Sequence, residues 1–310
     1  MSIIKDIFYS FCIFSALFTA LLFIKCDPKS AMTGDDYRLY EGTVLEEFAN
    51  AVEHNDTASM KELVNTKPIP IDFPSRTGTT LLMMAISNGQ NASVIDLLLE
   101  LGANPNKFDS QRDGYKTCPI FEATRYKYPQ RLSYLSSLLK HGANVNAATE
   151  HKSITEEGAF FVTSPYSILV DALSANKSTD SAEFKKTMTI FFDYNINLNM
   201  YDCEKYMFNQ PTSIIISKKR YDILLFLLMN GLDYNEFVYF NSDNKKVTLL
   251  QALRLSVLPL GTEQYNYKMK VVDFLNKKGF NYFNEPIPSV ILGKIQQENP
   301  TNWKYVIEKY

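Results

Sequence analysis

Apolar residues recur three and four positions apart along this chain in short bursts, and each burst stops at a glycine or an asparagine. Val94, Leu97 and Leu98 precede Gly102; Leu135, Leu138 and Leu139 precede Gly142. Leu224, Leu227 and Leu228 precede Gly231, and Val271, Val272 and Leu275 precede Gly279. That spacing predicts amphipathic helices, and the glycine predicts a left-handed residue at each helix end. Met188, Phe191 and Phe192 are followed instead by Asn195, the next residue after glycine to accept that conformation. Upstream of each burst a second helix start is written: Thr80-Leu81, Cys118-Pro119, Ser164-Pro165, Pro211-Thr212 and Thr248-Leu249. Threonine and serine cap free N–H groups, and proline is tolerated at the first helical position. A chain that repeats both its helix starts and its helix stops predicts stacked units rather than one closed core.

The string Gly102-Ala103-Asn104-Pro105-Asn106 returns as Gly142-Ala143-Asn144-Val145-Asn146. With Gly78-Thr79-Thr80-Leu81-Leu82-Met83-Met84-Ala85 ahead of it, the pattern resembles ankyrin repeats, over about residues 43–285. The resemblance implies an all-α fold: a solenoid of about six divergent helix-hairpin units with terminal caps, preceded by an N-terminal hydrophobic helix. Val44, Leu45, Phe48, Ala49 and Val52, then Met60, Leu63 and Val64, form a degenerate first unit. The organisation read from this is residues 1–31 for a signal segment and tether, 32–288 for the array, and 289–310 for a C-terminal helical cap containing Trp303. The helix stops lie 36 to 53 residues apart, against about 33 in a regular array. The excess places insertions at 107–114, 148–161, 174–182, 203–209 and 259–267.

Residues 7–24 carry no charge, long enough to cross a bilayer and acceptable as a long secretory core. Three fates stay open: an uncleaved signal anchor, which fits best; a lipoprotein modified at Cys26; and a secreted form. Phe23-Ile24-Lys25 lacks the small residue expected before a lipidated cysteine. A start at Met32 gives a soluble cytosolic form. The expected location is the bacterial envelope, membrane-anchored or periplasmic.

Composition narrows the chemistry. The 310 residues are 45% hydrophobic and 21% charged, with a net charge of -2, so no basic stripe points to nucleic acid. Four cysteines form no CxxC pair and the three histidines are scattered, so no metal is expected. Cys118 and Cys203 are not expected to meet in an array that contacts only neighbours. No phosphate loop, nucleophile elbow or metalloprotease motif occurs; neither an enzyme nor a cofactor is expected. Aromatics are plentiful, with 19 Tyr and 21 Phe, and loop tyrosines make good binding surface. Phe108, Tyr115, Tyr126, Tyr128, Tyr201, Tyr206, Tyr239, Tyr265 and Tyr267, with Arg112 and Arg125 as anchors, are the candidate partner-binding residues.

A membrane-targeting segment on a divergent array is similar in organisation to ankyrin-repeat immunity proteins of type VI secretion phospholipase effectors. The resemblance implies a protein, monomeric apart from its partner, that grips a lipase toxin and blocks it. The alternative is a general tethered or secreted scaffold for another envelope or host protein.

Overall fold

The computed structural model describes residues 34–109, 116–152, 160–175, 181–200, 211–241, 243 and 245–310. Fourteen α-helices and two two-stranded antiparallel sheets lie among the described residues. The helices come as six successive pairs: α1 (Glu46–Glu53) with α2 (Thr57–Thr66), α3 (Leu81–Ser87) with α4 (Ala92–Glu100), α5 (Pro119–Arg125) with α6 (Gln130–Lys140), α7 (Pro165–Ala175) with α8 (Ser181–Asp193), α9 (Pro211–Ser217) with α10 (Tyr221–Met229), and α11 (Leu249–Leu255) with α12 (Glu263–Lys277). The last two helices, α13 (Ser289–Glu298) and α14 (Trp303–Lys309), pack on each other.

The pairs stack in two rows. First helices α1, α3, α5, α7 and α9 each pack on the next, and second helices α2, α4, α6, α8, α10 and α12 do the same. One continuous core runs between the rows, from Tyr37 to Tyr282. Phe48, Phe121 and Phe191 are fully buried in it, and each such side chain contributes about 2–3 kcal/mol of transfer free energy. Val44 departs from the expected apolar stripe and is exposed.

Local chemistry explains the helix boundaries. The Thr80 hydroxyl accepts from the Met83 N–H at 3.3 Å. Thr248 and Gln251 exchange reciprocal bonds at 3.3 and 3.1 Å, a complete capping box. Ser164 and Ser167 cap one another across α7's first turn, at 3.1 and 2.9 Å. Cys118 makes no capping bond, and Pro119 follows it at the helix start. At the stops, Gly102, Gly142, Gly231 and Gly279 have φ between 85° and 96°, and Asn195 has φ 60°. The left-handed reading of all five positions is therefore met.

One expected insertion, 148–161, holds sheet rather than plain loop; a second hairpin falls where no insertion was expected, and the expected insertion at 259–267 holds the first turn of α12. Strands β1 (Thr149–Lys152) and β2 (Phe160–Thr163) pair between α6 and α7. Strands β3 (Phe237–Phe240) and β4 (Lys246–Thr248) pair between α10 and α11. The second hairpin has a consequence: α11 packs on β3 and β4, whereas the earlier first helices pack closely on one another. Among the described residues no helix is long and apolar enough to cross a membrane; residues 7–24 and Cys26 lie outside them.

Candidate protein-binding surface

The loops that follow the second helices are tied together by asparagines. Asn106 donates its side-chain amide to the Gly142 carbonyl at 2.9 Å, and its amide oxygen accepts from the Asn144 N–H at 2.7 Å. Asn146 repeats this toward Asn195 and Asn197, at 3.1 and 2.7 Å. Asn199 repeats it toward Gly231 and Asp233, at 2.9 and 2.8 Å. Within each loop, Asn104, Asn144 and Asn197 accept from the N–H two residues on. The ladder begins at Asp72, which accepts from the Asn104 N–H. It ends at Asn235, whose amide turns back to Asp233 instead of reaching the next loop. The break falls just before the β3–β4 hairpin.

This ladder fixes the spacing of the loops along one edge of the stack. It was not read from the sequence, although the G-A-N-x-N string carried the signal. Recognising it requires knowing that the second asparagine of one loop lies opposite the first of the next.

On the first-helix row, Glu122 of α5 gathers a polar cluster. It accepts from the Thr117 hydroxyl, from Ser87 of α3 at 3.4 Å and from Arg125 at 3.0 Å. Arg125 also donates to Thr117 at 3.0 Å and lies 5.9 Å from the Phe121 ring centre. Its side chain stays exposed, so the guanidinium faces solvent beside an aromatic edge.

The other expected aromatic residues do not converge on one site. Phe108 is partly buried against Phe121, edge to face at 6.0 Å. Tyr126 packs on Tyr134 at 5.1 Å, and its hydroxyl fills the space a Cβ on Gly89 would need. Tyr128 is exposed and accepts from Lys186 of α8 at 3.2 Å. Tyr239 lies on β3 at the opposite end of the array. Tyr265 and Tyr267 stand on α12: the first donates to the Lys309 carbonyl at 2.9 Å, and the second lies beside Lys185 and Lys270. Arg112, Tyr115, Tyr201 and Tyr206 lie outside the described residues.

Two buried polar clusters escaped the sequence reading. In the first, Asp222 of α10 accepts from Ser181, from Arg220 at 3.2 Å and from Gln264 at 3.1 Å, joining three consecutive pairs. Burial pushes its carboxyl pKa up, but these donors and the Arg220 charge together hold it below 3.8. In the second, Arg254 and Lys268 are both buried near the C-terminus. The Lys268 ammonium donates to the Ser256 carbonyl at 3.0 Å and sits 3.9 Å from the Tyr310 ring centre. The Arg254 guanidinium lies over Tyr282 at 4.1 Å, and its Nε and Nη1 have no hydrogen-bond partner. Burial, reinforced by the Arg254 charge, pulls the Lys268 pKa from 10.5 down to about 7. Lys268 had a legible signal: it lies three residues before Val271, on the same helical stripe as Val271, Val272 and Leu275.

Among the described residues no group of histidine, cysteine and carboxylate side chains is placed to hold a metal. Cys118 is a free, buried thiol pushed up to about 12 by burial.

Two rows of helix pairs and loops stitched at one edge define a helical repeat array, an architecture whose stacked units create extended binding surfaces. Residues 48–149 match the family model of ankyrin repeats in three copies. Similar solved structures include the ankyrin repeat domain of human ASB11, at 18% identity and a TM-score of 0.45, covering 78% of this chain and 93% of that one. An ankyrin repeat domain from Acinetobacter baumannii is 20% identical with a TM-score of 0.48, over 73% of this chain and 96% of that one. A chain from the complex of a predatory endopeptidase with an immunity protein, from Bdellovibrio bacteriovorus, is 18% identical with a TM-score of 0.43, over 74% and 96%. No curated protein matches the chain.

Proposed function

We propose that all six helix pairs work as one protein-binding array at the bacterial envelope, and that the partner is a type VI secretion phospholipase effector, which the array blocks by covering it. Binding by a surface already held in place loses little conformational entropy. The asparagine ladder, running from Asp72 to Asp233, is the observation that carries this reading. It holds the loop edge in register, while the neighbouring first-helix row leaves Arg125 and the Glu122 cluster open to a partner. The hydrophobic run at 7–24 supplies the tether that keeps the array where such an effector acts.

The test is co-expression with a type VI secretion phospholipase effector directed to the periplasm. Growth should be restored, and the purified chain should lower lipase activity at equal molar amounts. Arg125→Glu combined with Tyr128→Ala should weaken the complex by at least about tenfold, as expected for anchor residues. Unrelieved growth arrest together with no binding of the toxin would refute the immunity role.

A further inference from the structure

Where α11 fails to stack closely on α9, a groove opens between them. Its volume is about 470 Å³. Ile214 and Ile216 of α9 form one wall; Leu255 of α11 and Tyr239 of β3 contribute to the other. Ser256 and Val257 also line it, and Lys219 and Lys294 stand at its sides. No carboxylate of a described residue lines the groove. Lys294 pairs with Glu298 on its own helix at 3.8 Å, and both side chains are exposed.

The charge beneath the groove has the same sign. Ser256 is the residue whose carbonyl takes the Lys268 ammonium, and Arg254 precedes it by two positions with two unpartnered buried nitrogens. Buried cations are normally paired. Here aromatic rings face them instead, Tyr310 at 3.9 Å from Lys268 and Tyr282 at 4.1 Å from Arg254.

The backbone carries a further sign. The turn between the two helices of a pair needs a left-handed residue, supplied by Asn55 between α1 and α2 and by Gly89 between α3 and α4. In the fifth pair that position is Lys219, with φ 57°. Lysine is strained there where glycine is free, and such strain clusters at binding sites. The strained residue places its ammonium 3.4 Å from the Val257 carbonyl, at the edge of the groove.

We infer that this groove binds an acidic, apolar segment of a protein partner: leucine-, isoleucine- or phenylalanine-like side chains on the Ile214, Ile216 and Leu255 walls, with flanking carboxylates on Lys219 and Lys294. This deepens the protein-binding reading above and rests on it. It adds a second anchor, on the fifth and sixth helix pairs, to the one in the Arg125 region.

The experiment selects a displayed library of random short peptides on the purified full-length chain. Enriched sequences should combine aspartate or glutamate with large aliphatic or aromatic residues. Their affinity should fall by about tenfold or more in Lys219→Glu with Lys294→Glu, and should weaken as salt rises. Lys219→Gly supplies a readout that a structural role alone would not give: the fold should become more resistant to urea while the selected peptides bind less well. No enrichment, enrichment without acidic residues, or peptides that bind the double variant unchanged would each overturn the inference. A toxin or other protein that binds the chain in spite of such a result would leave the protein-binding reading standing and remove only the groove.

Discussion

Replacing Lys268 with methionine separates the cost of burying an ammonium from the rest of the C-terminal packing. Lys268 has 0% exposure, so solvent does not screen it. The drop from 10.5 to about 7, at about 1.4 kcal/mol per unit, sets a ceiling of roughly 5 kcal/mol against the charged form. The Tyr310 face at 3.9 Å offsets about 2 kcal/mol of that for a desolvated cation. Because the folded-state pKa lies below the unfolded one, the penalty is complete below pH 7. It is relieved as pH rises from about 7 toward 10.5, where the unfolded chain still holds the proton. The wild type should therefore gain about 1–2 kcal/mol between pH 7 and 9 from this one group, before tyrosine ionisation intrudes. Lys268→Met should lack that gain. At pH 7 it should be no less stable than the wild type, since apolar replacement of a buried charge is commonly neutral or favourable. Urea unfolding followed by far-ultraviolet circular dichroism at pH 7, 8 and 9 gives the two slopes. Equal slopes for both proteins, or a wild type that weakens with rising pH, would show that the ammonium is not buried as described.

Other perturbations probe the stack itself. Asn146→Ala removes the amide bonds to Asn195 and Asn197 and should destabilise by about 1–3 kcal/mol; a change below about 0.5 kcal/mol in urea would mean the ladder is ornamental. Gly231→Ala puts a Cβ in open space but on a φ of 96°, so backbone strain alone should cost about 1–2 kcal/mol. Gly89→Ala adds a collision with the Tyr126 hydroxyl and should lower the melting temperature further than Gly231→Ala; the reverse order would contradict the Tyr126 placement. The depressed Asp222 pKa contributes stability above pH 3.8 that is lost as pH falls toward the lower folded-state value. Asp222→Asn should flatten the acid limb of the stability curve, and an unchanged limb would count against the three-pair cluster.

Much of the architecture was legible because helix ends are written in local chemistry. Thr80, Thr248, Gly142 and Asn195 act through their own backbone geometry and their nearest residues, so a one-dimensional reading finds them. The β1–β2 hairpin falls where a loop insertion is expected, because Glu150-His151-Lys152 shows no apolar alternation; the β3–β4 hairpin went unread, its alternation brief and interrupted by a register shift at Phe237/Tyr239. The binding surface was the least legible part. Phe108, Tyr126 and Tyr265 carry the composition of a hot spot, yet their partners are Phe121, Tyr134 and the Lys309 carbonyl. Whether an aromatic side chain faces a neighbouring repeat or solvent depends on stacking register, which no single repeat encodes. Lys219 shows the converse, since its strain appears only when its turn is set beside those of Asn55 and Gly89.

The central claim, that a partner protein docks on the first-helix side of the array, is tested most directly by photo-cross-linking in the producing cell. A photoreactive residue would be placed singly at Arg125, Ser217 or Leu255 on the first-helix row, and at Ser93, Ser136 or Asp273 on the second. The account predicts one and the same protein captured from first-row positions and none from the second row. Capture from the second row alone, or from neither, would contradict it.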